Sequence, residues 1–119
     1  MHLFSTIIIT LVAIEFFYIM YLETFATTSA TTGRVFHLSK EELARPSVTV
    51  LFKNQGIYNG LIGVGLLYAT YVSSVGIELA KILLLYIILV ALYGSITSDK
   101  KIIITQGGLA IIAFVSLFF

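Results

Sequence analysis

Glu15 and Glu23 interrupt an otherwise apolar run from about Leu3 to Ala26. Carboxylates in such a setting exchange protons, hold cations, or act as an acid and base pair. Charge inside a bilayer is costly, so ionisable groups there face the bundle interior and mark ligand or proton paths. Glu15 is the deeper of the two, about eleven residues or roughly 16 Å from the cytoplasmic end of its helix. Glu23 follows eight residues later, and at about 100° per residue it lies about 80° around from Glu15, so both can face one interior. With no cation in reach, Glu15 is expected to exchange a proton or take a cationic group. Glu23 has an equal alternative as an interfacial carboxylate beside Arg34 or Lys53.

The second chemically suggestive stretch is Lys53-Asn54-Gln55-Gly56-Ile57-Tyr58-Asn59-Gly60, a polar entry to a hydrophobic helix. On a helical wheel Asn54, Gln55, Tyr58 and Asn59 share an arc of about 140°, next to a smooth stripe of Gly56, Gly60 and Gly63. The Gly56 to Gly60 spacing matches the small-residue packing motif, so a homo-oligomer joined through Gly56, Gly60 and Gly63 is one expectation. Tyr93 and Gln106 fall at similar depth on later helices. The predicted site is therefore a pocket of Glu23, Asn54, Gln55, Tyr58, Asn59, Tyr93 and Gln106, with Glu15 at its floor. The competing reading is that the amides only hold helices together through hydrogen bonds.

Other chemistries are poorly supplied. His2 and His37 are expected on opposite sides of the membrane, and the chain has no cysteine, so neither a metal site nor a catalytic thiol is expected. No Gly-x-Ser-x-Gly elbow comes with a histidine at suitable depth, and no phosphate loop or dinucleotide fingerprint appears, so no cofactor is expected. Seven Lys and Arg against six Asp and Glu give no broad positive field, which argues against nucleic acid as a partner.

The elements that must position these groups follow from composition. Of 119 residues, 59% are hydrophobic and 11% charged, with a mean hydropathy of +1.05, outside the soluble range. A spanning helix needs about 20 apolar residues, and four stretches qualify: about 3–26, 48–71, 76–96 and 102–119, the last barely long enough. The expected fold is all-α, a single four-transmembrane-helix bundle with the lipid bilayer as its main partner. Residues 27–46 read as one long loop, with a capping box at Ser39-Lys40-Glu41-Glu42 that starts a short interfacial helix. The N-terminal run lacks a preceding Lys or Arg and contains two glutamates, so a cleaved signal peptide is not expected. Arg34, Lys40, Arg45, Lys53, Lys100 and Lys101, six of the seven cations, gather on the first and third loops. By the positive-inside rule those loops are cytoplasmic and both termini lie outside a plasma membrane. Lys81 opposes this, and Glu78 one turn earlier can pair with it.

Five strings, Glu15 to Glu23 (EFFYIMYLE), Gly33 to Leu38 (GRVFHL), Asn54 to Gly60 (NQGIYNG), Tyr93-Gly94 and Gln106, resemble the domain of unknown function 1304 family of small bacterial membrane proteins. The Asn-Gln-Gly-x-Tyr-Asn-Gly string is the most specific, and the resemblance runs over nearly the whole chain. It implies the membrane fold and no particular activity. In that family a histidine often follows the first glutamate; here the place holds Phe16, which removes an imidazole from any relay.

Taken together, the residues point to a membrane protein that binds or transports a small lipophilic or cationic ligand. An enzyme acting on a lipid or isoprenoid-like substrate, with Glu15 and Glu23 as acid and base, is the alternative. A structural or assembly subunit is the third reading.

Overall fold

The computed structural model describes all 119 residues, and every regular element is helical. α1 spans Leu3–Met20 and runs on into a π-helical turn, Tyr21–Phe25; α2 is Ala30–Phe36, α3 is Lys40–Leu43 and α4 is Pro46–Tyr71. After a short turn come α5, Gly76–Thr97, then α6, Ile102–Thr105, and α7, Gly108–Ser116. The helical class is as the composition demands, because an apolar chain this uniform satisfies its backbone within each segment.

Two stretches are long and apolar enough to cross a bilayer: Leu3–Phe25, 23 residues with mean hydropathy 2.2, and Gly76–Thr97, 22 residues with mean hydropathy 2.3. Only 28% and 22% of these stretches is buried inside the chain, unlike the core helices of soluble proteins. α4 is longer than either, but Lys53, Asn54, Gln55 and Asn59 dilute its hydropathy. The fourth expected span is not one helix. It breaks at Gln106-Gly107, leaving pieces of 4 and 9 residues. Paired glycines at Gly107 and Gly108 are poor helix formers, and the Ser95 hydroxyl accepts the Ile103 amide at 2.6 Å, holding the start of α6 against α5.

The chain divides into two compact units, Ile14–Gly63 and Met1–Ala13 with Val64–Phe119, so α1 and α4 contribute residues to both. In the second of these, α5 packs on α6 and α7. Its buried residues Ala80, Leu84, Ile87 and Ala91 recur at spacings of three and four, the signature of one helical face. Ile9, Val12, Leu66, Ala69, Ala110 and Ala113 complete that core. Small residues dominate the α5–α7 contact, and Gly107 sits where an added Cβ would stand 3.2 Å from Ala91 Cβ.

The unit Ile14–Gly63 departs most from the simple reading. Residues 27–46 are not a plain loop, because α2 occupies much of the segment. Ser29 caps it by accepting the Thr32 amide at 3.1 Å, and His37 ends it in the left-handed conformation at φ 57°, the only positive φ outside glycine. The Ser39 cap forms as expected, accepting the Glu42 amide at 3.1 Å, but Glu42 bonds back to the Ser39 hydroxyl rather than to its amide. Pro46 then opens α4, where its missing N–H costs nothing. Thr49 donates to the Leu43 carbonyl at 2.6 Å, and Phe36 meets Phe52 edge-on at 5.2 Å, so the segment folds back on α4.

Candidate functional site

The π turn at the end of α1 is the local feature that positions Glu23. The Ala26 amide bonds the Tyr21 carbonyl at 2.9 Å, a wider ring than the α pattern. Such turns need substitute partners, and two threonines provide them. Thr27 donates to the Glu23 carbonyl at 2.6 Å and Thr32 reaches the carbonyls of Leu22 at 3.2 Å and Ala26 at 2.6 Å, while Thr24 ties the turn to α4 by donating to the Lys53 carbonyl at 2.9 Å. A π turn winds more slowly than an α-helix, so the angle between Glu15 and Glu23 extrapolated at about 100° per residue does not carry through Glu23.

α4 meets this turn with its glycine stripe. A Cβ at Gly56 would collide with Thr24 Oγ1 and crowd Glu23 Cβ at 3.1 Å, and one at Gly60 would collide with the Met20 thioether. Gly56, Gly60 and Gly63 are all buried, the first two against Thr24, Glu23 and Met20. One turn along the same face, Asn59 Nδ2 donates to Glu23 Oε1 at 2.6 Å, and Glu23 is only 4% exposed.

Of the predicted residues, the structure joins Glu23 and Asn59. Asn54, Gln55 and Tyr58, though on neighbouring parts of α4, are exposed. Tyr93, on α5, and Gln106, at the α6–α7 break, belong to the other unit; Tyr93 is exposed and Gln106 half-buried. Glu15 stands apart on α1: its Oε1 is buried and has no hydrogen-bond partner. One carboxylate is thus satisfied by an amide, and the other holds an unused acceptor.

A second polar cluster, which residue spacing did not suggest, joins the chain ends. His2 Nε2 lies 3.1 Å from the Ser116 carbonyl and 3.3 Å from Ser5 Oγ, and Ser5 Oγ lies 2.7 Å from Ser116 Oγ. The Ser5 amide donates to His2 Nδ1 at 3.4 Å, so Nδ1 is the unprotonated nitrogen and Nε2 carries the hydrogen. Ser116 spends its hydroxyl proton on the Ala113 carbonyl at 2.7 Å, so Ser5 must donate to Ser116. The imidazole therefore cannot take a proton from Ser5 in this arrangement, and the buried Ser5 is a tie rather than a nucleophile. Its only signal in the sequence is two serines in apolar runs 111 residues apart.

The fold and these polar groups define an all-helical protein with two helices suited to crossing a membrane and two carboxyl groups of unlike environment, Glu23 buried and Glu15 half-buried. The chain belongs to the family described as Protein of unknown function (DUF1304), which matches residues 10–118. It is similar to "Uncharacterized protein YpaA" of Lactococcus lactis subsp. lactis (strain IL1403), 67% identical over 119 residues and covering 100% of both chains. No solved structure matches.

Proposed function

We propose that this is a plasma-membrane protein that binds or carries a small lipophilic or cationic ligand, with Glu15 as the group that exchanges a proton or meets the cation. The observation that carries this reading is the buried, unpartnered Glu15 Oε1 in an apolar stretch long enough to span. An unmet buried acceptor costs about 1–3 kcal/mol, a cost relieved when a ligand or a proton arrives. α1 with its π turn, α4, α5 and the broken α6–α7 segment make four crossings, with both termini outside and the basic loops cytoplasmic. The break at Gln106-Gly107 is compatible with a span when its backbone is covered by protein.

Glu23 takes a different part. Its bond to Asn59 makes it a tie between the π turn and α4, which favours binding at Glu15 over an acid–base pair of the two glutamates.

The test is Glu15→Gln in proteoliposomes loaded with a pH-sensitive dye, with tetraphenylphosphonium as the lipophilic cation. Native protein is expected to bind the cation and couple its movement to protons, and the variant to fold normally but lose both. Equal binding and flux in the two proteins would overturn the proposal.

A further inference from the structure

A cavity of about 540 Å³ opens where the start of α1, the end of α4 and the first turn of α5 come together within the unit Met1–Ala13 and Val64–Phe119. That volume lies in the range of small-molecule sites. Its polar side chains are those of Thr6, Thr70, Ser73, Ser74 and Glu78; Met1, the first residue of the chain, and Ile77 also line it. Gly76 lies against the Ala69 carbonyl with no room for a Cβ, so the α4–α5 turn that forms the rim is tightly closed.

Following each proton shows what this lining can recognise. The Thr6 hydroxyl donates to the His2 carbonyl at 3.2 Å and the Thr70 hydroxyl to the Leu66 carbonyl at 2.7 Å. Both have only lone pairs left to offer. Ser73 Oγ already accepts the Val75 amide at 3.1 Å. Glu78 adds a carboxylate, and its cationic neighbour neutralises it poorly: Lys81 Nζ stands 3.8 Å from Oε1, at the limit of an ion pair. The same Nζ lies 4.2 Å over the Phe118 ring, which draws the lysine away. The lysine side chain is 25% exposed and the glutamate 78%, so Glu78 remains open to a better donor.

Two threonines that can only accept and the exposed Glu78 carboxylate favour a positively charged ligand with N–H donors, while Ser73 and Ser74 keep hydroxyl protons for an acceptor on the same ligand. We propose that this cavity binds the primary ammonium group of a small organic molecule, with Glu78 supplying the charge and Thr6 and Thr70 accepting its hydrogen bonds. Ser74, which makes no hydrogen bond of its own, serves a polar group elsewhere on the ligand. The site does not depend on Glu15.

The full chain in phosphatidylcholine nanodiscs, titrated with ethylammonium and followed by backbone amide shifts, tests this. Saturable shifts are expected at Thr70, Ser74 and Glu78. Tetramethylammonium, equal in charge but without N–H donors, is expected to bind more weakly, and ethyl phosphate not to bind. Glu78→Gln should weaken ethylammonium about tenfold, the size of one charge-assisted hydrogen bond. Lys81→Met should tighten it, a change of sign that a purely structural role for Glu78 would not produce. Nanodiscs rich in phosphatidylethanolamine separate two sources of the same group: competition there assigns the site to a lipid headgroup, and unchanged affinity assigns it to a soluble amine. Unsaturable shifts, equal affinity in native protein, Glu78→Gln and Lys81→Met, or preference for ethyl phosphate would overturn the proposal.

Discussion

Replacing Asn59 by leucine probes the contact on which the Glu23 assignment rests. The substitution keeps side-chain bulk and removes the donor 2.6 Å from Glu23 Oε1, leaving that oxygen unmet on a residue only 4% exposed. Two magnitudes bear on the outcome. A polar pair between membrane helices contributes about 0.6 kcal/mol on average and about 1.7 at most. An orphaned buried acceptor costs about 1–3 kcal/mol. The second effect dominates, so Asn59→Leu should destabilise the protein by about 1–3 kcal/mol. Glu23→Leu/Asn59→Leu leaves no orphan and should be less destabilised than the sum of its single variants, with a coupling of about 1–2 kcal/mol. Reversible unfolding in mixed micelles, followed by helical circular dichroism, reads all four proteins of the cycle. A single variant within about 0.3 kcal/mol of native, or additivity across the cycle, would refute the reasoning.

Further expectations concern packing and topology. Gly56→Ala should cost about 1–3 kcal/mol, because Thr24 is held by its bond to Lys53 and cannot yield, whereas Gly60→Ala should cost less because the Met20 thioether is flexible; equal unfolding midpoints would contradict this. Ser116→Ala strands the buried Ser5 hydroxyl and should lower stability by about 1–3 kcal/mol, with Ser5→Ala/Ser116→Ala closer to native in the same unfolding assay. The chain has no cysteine, so single cysteines report sidedness cleanly. A membrane-impermeant maleimide added to intact cells should label Ser74→Cys and not Lys100→Cys; the reverse pattern would invert the proposed orientation.

The sequence by itself determined what depends on neighbours along the chain. The start of α5 at Gly76, the cap at Ser39 and the extent of the first apolar run were legible because glycine, caps and hydropathy act within a few residues, whereas α4 begins at Pro46, two residues before the expected start. The all-helical class was legible for the same reason. α2 was missed because its cap, Ser29, lies among threonines that read as loop until Thr32 is seen filling the carbonyls of the π turn. The remaining features belong to tertiary structure. The π turn is held by Thr24 on Lys53, 29 residues away, and Asn59 rather than Asn54 or Tyr58 meets Glu23 because the glycines beside it let α4 approach that side. A helical wheel ranks these amides alike, since it fixes the angles among them but not which arc faces a neighbour. Close approach between distant segments made that choice, and it left Glu15 with the acceptor that has no partner.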